Sequence, residues 1–141
     1  MAAAVKFEAF SEHLAEGVHN LDTGTIKILL SNDAPSAASD AVKADLTSEL
    51  STANGYTSGG ADTQNATSRS GGTTTVTAVD VVWTASGGSI GPFRYVVAYN
   101  DTPTSPADPL IEYWDYGSSI TLADGETFTA DFGASGLMTI A

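Results

Sequence analysis

The residues that could do chemistry are few and lie far apart along the chain. The two histidines, His13 and His19, are six positions apart, which places them on opposite sides of a helix rather than at the i, i+4 spacing of paired metal ligands. The sequence contains no cysteine, which excludes a thiol nucleophile, disulfides and a zinc–thiolate site. We therefore predict two ordinary, partly exposed histidines and no catalytic triad.

Carboxylates offer a second kind of chemistry. Glu112 and Asp115 flank Trp114, as acidic residues do in glycosidase clefts, but residues three positions apart on a strand face opposite sides. Asp124-Gly125-Glu126 and Asp131 lack the spacing of a calcium loop, and we interpret them as a turn. We expect no catalytic residue, no metal site and no cofactor.

Aromatic rings offer a third possibility, a platform on which a sugar would stack. Alternating rings of this kind more often form a core face and an interface face, because Tyr and Trp suit places with one apolar and one wet side. The candidate rings are Tyr95, Tyr99, Tyr113, Trp114 and Tyr116.

The charge of the chain argues against nucleic acid as a partner. Five basic and seventeen acidic residues give a formal net charge of −12, which repels a phosphate backbone. No basic residue follows Arg94, so the C-terminal part is strongly acidic, and we interpret it as a solvated surface rather than a cation site. The sequence has no apolar span near twenty residues and no export-type leader. We therefore expect a soluble protein, made in the cytoplasm, without membrane contact.

Strands must position these residues. Phe93, Tyr95, Val97 and Tyr99 alternate with other residues and predict a half-buried strand, and the run 110–116 repeats the pattern. Further strands are predicted at 25–30, 73–84, 120–122, 127–132 and 137–140, with Val79, Val81 and Trp83 sharing one face. Asp124-Gly125 predicts a two-residue hairpin, and the glycine-rich stretch 51–72 should lie at the surface or against a partner.

The pattern predicts one β-rich domain over residues 1–141, an antiparallel β-sandwich, jelly roll or barrel with one or two short helices at its N-terminal end. Phe7, Phe10 and Leu14 recur at helical spacing and predict a helix over 5–21, so residues 1–21 form a helical segment or an arm that docks on a neighbour. A second helix is predicted over 39–50, with a loop of one or two turns as the alternative.

Four segments carry a family resemblance. They are NGYTSGG (54–60), DVVWTASGGSIGPFRYVVAYNDT (80–102), DPLIEYWDYGSSITLADGETFTADF (108–132) and SGLMTIA (135–141). Through these segments the chain resembles a group of small virion structural proteins of tailed bacteriophages, and the resemblance covers nearly its whole length.

The resemblance implies a capsid decoration, or cement, protein on the outer surface of the phage head. Its partners would be the major capsid protein and further copies of itself, as a symmetric oligomer such as a trimer at lattice three-fold positions. The residues predicted for the partner interface are Phe7, Phe10, Leu14, Tyr56, Tyr99, Tyr113 and Trp114.

Two alternatives remain open at this point. A tail or head-fibre component would bind host surface glycan through Tyr99, Tyr113 or Trp114. An enzyme acting on polysaccharide would use Glu112 and Asp115.

Overall fold

A computed structural model describes residues 2–141, and within them strands dominate. One short helix, α1 (Glu8–Ala15), lies near the N-terminus, and a single 3₁₀ turn spans Lys43–Asp45. The strands are β1 (Val5–Lys6), β2 (Ile26–Ser31), β3 (Ala61–Asp62), β4 (Ala66–Ser70), β5 (Thr73–Thr77), β6 (Val81–Thr84), β7 (Ile90–Asn100), β8 (Leu110–Leu122), β9 (Thr127–Ala130) and β10 (Met138–Ile140). No helix in the described part of the chain has the length and apolar character needed to span a membrane.

The strands form three antiparallel sheets. Their orders are β1-β8-β7-β2-β3, β10-β5-β4 and β6-β9. The prediction of a mainly β, antiparallel fold with a short helix near the N-terminus is confirmed, and the arrangement is sandwich-like rather than a closed barrel.

The turn at Asp124-Gly125 joins two sheets instead of forming the predicted hairpin. The Glu126 N–H donates to the Ala123 carbonyl at 2.9 Å, so a tight turn is present. However, β8 before it pairs with β7 and β1, whereas β9 after it pairs with β6. A two-residue turn signal fixes the local backbone but not which strands pair across it.

Strand β7 is buried on both faces, so the prediction of a half-buried strand is wrong. Phe93, Val96 and Ala98 belong to the larger core cluster, whereas Tyr95, Val97 and Tyr99 belong to a second cluster that is closed by Phe7. An irregularity in the ladder between Phe93 and Tyr95 moves these two rings onto different faces despite their spacing of two.

Strand β8 carries an outward bulge that the strands predicted at 110–116 and 120–122 did not include. Tyr95 lies opposite Asp115 and Phe93 lies opposite Ile120. Over this part of the ladder β8 therefore advances by five residues while β7 advances by two. Gly117, with φ +100°, provides the left-handed backbone that this excursion requires. The bulge carries Tyr116 out into solvent, and the strand predicted at 120–122 is the continuation of β8.

The N-terminal helix is shorter than the predicted span 5–21. It ends in a Schellman motif: the Val18 N–H donates to His13 O at 2.9 Å and the Gly17 N–H to Leu14 O at 3.2 Å, with Gly17 at φ +77°. Before the helix, Val5 and Lys6 are extended and pair with β8. The segment is thus one strand, two helical turns and a loop, attached to the domain.

The helix predicted over 39–50 is absent, and the alternative of a loop with a turn is confirmed. Asp45 Oδ2 accepts the N–H groups of Ala41 and Val42 at 2.9 and 3.1 Å. The Leu110 N–H donates to Ala41 O at 3.0 Å, which ties the segment to the start of β8. These contacts satisfy backbone groups that a helix would otherwise have used.

Val79 also departs from its prediction. It lies outside β6 and is largely exposed, whereas Val81 and Trp83 are buried on one face of β6.

Candidate functional site

Most of the residues predicted for a partner interface are buried inside the chain itself. Leu14 and Tyr113 are half-buried and pack against the core clusters. The other five are buried in the core of this chain, so in this fold they offer little surface to a partner. These five are Phe7, Phe10, Tyr56, Tyr99 and Trp114.

Two of the buried tyrosines attach the glycine-rich segment to the main sheet. Tyr56 Oη accepts the Leu30 N–H at 3.1 Å and lies 3.1 Å from Glu49 Oε1. Tyr99 Oη donates to Gly59 O. Burial raises the pKa of both phenols far above the ordinary value, so both are neutral hydrogen-bonding groups.

The two histidines lie close together, with His19 buried and His13 half-buried, so the prediction of a partly exposed residue is wrong for His19. His19 lies beyond the end of α1, where its ring approaches that of His13 with centroids 6.2 Å apart. Its Nδ1 lies 3.2 Å from Asn100 Nδ2. Burial, helped by His13, lowers the pKa of His19 from 6.5 to about 4. In residues 2–141 no group of three or more His, Asp or Glu side chains is placed to hold a metal ion.

Glu112 and Asp115 do not work as a pair. Glu112 lies opposite Ala98 and Asp115 opposite Tyr95, two residues of different core clusters, which confirms that the carboxylates face opposite sides. Burial raises the pKa of Glu112 to about 8, and its Oε1 has no hydrogen-bond partner. The carboxylate of Asp115 forms a bidentate ion pair with Arg94, at 2.7 and 3.1 Å, which lowers the pKa of Asp115. No substrate reaches Glu112 in this arrangement.

The main exposed aromatic feature lies where the five-stranded sheet and the β6-β9 sheet part. Between β8 and β9 a groove of about 250 Å³ opens, which we call the seam groove. Trp114 and Phe128 are buried in it, while Tyr116 is 60% exposed. The ring of Tyr116 stands edge-on to Phe128, with centroids 5.8 Å apart. The full lining is Ala2, Val96, Trp114, Asp115, Tyr116, Phe128, Thr129 and Asp131.

Carboxylates supply the charge of the seam groove. Asp115 is neutralised by Arg94. Asp131 is exposed, and its Oδ1 accepts the Gly133 N–H at 3.1 Å, which leaves its other oxygen available. The groove is therefore an apolar surface with an acidic edge, which suits binding of a partner more than chemistry.

Sequence reasoning named the rings of this groove but not their arrangement. Tyr116 was one of five alternating rings, and nothing in its spacing distinguishes it from the four that are buried or half-buried. Phe128, in the strand predicted at 127–132, is buried, and its ring also meets that of Tyr116. Gly117, directly after Tyr116, was the available signal, because a glycine within an aromatic strand often marks a bulge.

Comparisons with family models, with curated proteins and with solved structures found no match. The resemblance to phage virion proteins therefore stays a prediction, and the functional argument rests on that resemblance and on the seam groove.

Proposed function

We propose that this chain is a non-enzymatic virion structural protein, a decoration protein that binds the outer surface of a phage head and stabilises the shell. The observation that carries the proposal is the seam groove, where Tyr116 stands exposed beside Trp114 and Phe128 on a strongly acidic molecule. An exposed aromatic flanked by buried apolar side chains is the composition expected at the centre of a protein–protein contact. The resemblance of four sequence segments to phage virion proteins suggests that the partner is a subunit of the phage shell.

The stabilising effect of a decoration protein comes from the binding of many copies to one shell. A shell under internal pressure gains stability from a molecule that bridges several of its subunits, and many modest contacts add up through effective concentration. The partners are the major capsid protein and further copies of this chain, as a closed symmetric oligomer such as a trimer. The strongly negative charge keeps free copies apart before they bind.

Electron cryomicroscopy of the assembled particle tests the proposal. We expect density for this chain at hundreds of positions on the outer head lattice, and we expect heads lacking it to open at lower temperature than decorated heads. Density restricted to a few positions at the tail or on fibres would contradict the decoration role.

One observation favours a second function, a tail or head-fibre component that binds glycan. Tyr116 offers a ring face and Asp131 a carboxylate oxygen at the same groove, a combination that sugar sites use. Against it, Tyr99 and Trp114 are buried and Tyr113 is half-buried, so the three rings predicted to bind glycan offer little exposed surface. Loss of cell binding, without loss of head stability, in particles carrying Tyr116→Ser would establish the glycan function instead.

A further inference from the structure

Strand β9 has an unpaired edge next to the seam groove. Among residues 2–141 its only ladder is with β6, with Val82 opposite Thr129 and Trp83 opposite Phe128. The Ala85 N–H donates to Glu126 O at 2.9 Å in the same register. Because hydrogen-bonded and non-hydrogen-bonded pairs alternate in an antiparallel ladder, the backbone groups of Thr127 and Thr129 point away from β6.

The outer edges of β4 and β6 are each covered by another part of the chain. On β4, the Asp22 carboxylate accepts both the backbone N–H and the hydroxyl of Thr67, at 3.0 and 2.8 Å, and so blocks that edge. On β6, the backbone of Gly55 closes over the Thr84 carbonyl so tightly that an added Cβ would lie 2.3 Å from its oxygen. β9, with the sequence TFTA, has no proline, no charged residue and no bulge, which are the usual means of blocking an edge.

The groove gives the unpaired edge its specificity. Thr129 and Phe128 of β9 line one wall and Trp114 and Tyr116 of β8 line the other. An extended segment that pairs with Thr127 and Thr129 directs every second side chain to the same face of the ladder. One apolar side chain of such a segment can then enter the groove and contact Tyr116 and Phe128.

Charge identifies the partner as basic and disfavours a second copy of β9. Asp131 lies at one end of β9 and Glu126 at the other, both exposed. A second copy carries the same two carboxylates on a chain of formal net charge −12, so two copies would repel each other at this edge. A segment with Lys or Arg on either side of its apolar residue would instead meet opposite charges.

We propose that the free edge of β9 and the seam groove together form a strand-addition site for an extended, basic and apolar segment of the partner. The partner segment hydrogen-bonds to Thr127 and Thr129, inserts one apolar side chain beside Tyr116 and places its cations near Glu126 and Asp131. The inference rests on the proposed function in taking the partner to be a subunit of the shell, but the binding chemistry is testable without a shell.

The first experiment titrates the isotope-labelled chain with two synthetic peptides and follows the backbone amides by NMR. The probes are acetyl-Lys-Val-Lys-Val-Lys-Val-Lys-amide and its counterpart with Glu in place of Lys. We expect the basic peptide to shift the amides of residues 127–131 and of Tyr116, with weaker binding at higher salt, and the acidic peptide to leave them unchanged. Absence of shifts at β9, equal shifts with both peptides, or shifts centred on β4 would overturn the proposal.

Two variants and one control sharpen the experiment. Thr129→Pro removes an N–H that faces away from β6, so it should weaken peptide binding about tenfold while leaving the β6 ladder intact. Tyr116→Ser removes the exposed wall of the groove and should have a similar effect without touching the backbone edge. Val82→Ser is the matched control, because Val82 is similarly exposed and lies directly opposite Thr129 but does not line the groove. Equal weakening by Val82→Ser would count against the site.

The same variants separate this inference from the function it rests on. If purified heads bind Thr129→Pro and Tyr116→Ser as tightly as the unmodified chain, the strand-addition site is wrong while the decoration role stands. If the basic peptide binds at β9 but no head binds the chain, the site stands and the decoration role is wrong.

Discussion

Replacing Glu112 by glutamine should stabilise the protein at neutral pH. Glu112 is 4% exposed, its Oε1 has no hydrogen-bond partner, and burial raises its pKa from 4.5 to about 8. Since the folded state holds this proton more tightly than the unfolded chain, the contribution of Glu112 to stability is fully present below pH 4.5. It decreases as the pH rises, and it is lost above about pH 8.

The size of the effect follows from the pKa difference. Between pH 4.5 and 8 the folded state keeps a proton on Glu112 that the unfolded chain releases, and this costs about 1.4 kcal/mol per pH unit above 4.5, or about 3 kcal/mol at pH 7. Glutamine keeps the shape and carries no charge, so Glu112→Gln should recover most of this free energy. For a domain of this length the midpoint of thermal unfolding should rise by roughly 6 to 12 °C.

Urea unfolding of both chains at half-unit pH steps from 4 to 8.5 checks the prediction. The free energy of unfolding of the variant should exceed that of the unmodified chain by an amount that grows from pH 4.5 to 8 and then stays constant. Glu16→Gln, at an exposed position directly after α1, is the control and should show no such growth. A difference that is constant with pH, or a variant less stable at pH 7, would refute the burial argument.

Two further predictions concern the buried histidine and the tight glycines. The pKa of His19 is lowered from 6.5 to about 4, so its contribution to the free energy of unfolding is present above pH 6.5 and is lost as the pH falls toward 4. His19→Gln should therefore reduce the acid-induced loss of stability by up to about 3 kcal/mol, measured by the same urea titrations. Acid sensitivity unchanged in His19→Gln would show that another group titrates. Gly60→Ala should cost roughly 3 kcal/mol or more, because its Cβ would lie 1.8 Å from the Ile28 carbonyl oxygen at φ +78°. Gly71→Ala, at φ +58° with no neighbour within 4 Å, should cost only about 1 kcal/mol, and equal losses in thermal unfolding would refute the steric argument.

The β-rich, antiparallel architecture was predictable because it depends on local signals. Alternating side chains in 93–99 and β-branched residues in 73–84 are properties of a few neighbouring residues, and the connections are too short for crossover helices. The predictions that were wrong depend on contacts with distant parts of the chain. Whether β7 is buried on one face or two depends on Phe7, far away in sequence, packing over its second face.

The candidate site was the least predictable part for the same reason. Tyr113, Trp114 and Tyr116 look equivalent in the sequence, and only the bulge that begins after Asp115 turns Tyr116 outward. The helix predicted at 39–50 failed because Asp45 and the start of β8 supply other partners for its backbone. A periodic pattern cannot represent competition from such partners.

The β4–β5 hairpin has a practical consequence for displaying foreign peptides. All five residues of β4 are exposed, and the Gly71-Gly72 turn at its tip touches nothing that an added Cβ would meet. Inserted residues at that turn would extend the hairpin into solvent, and they would lie in a different sheet from β9 and its groove. If the chain does coat a particle in many copies, the tip of this hairpin is the position at which an antigen or an affinity tag could be carried on every copy without disturbing attachment.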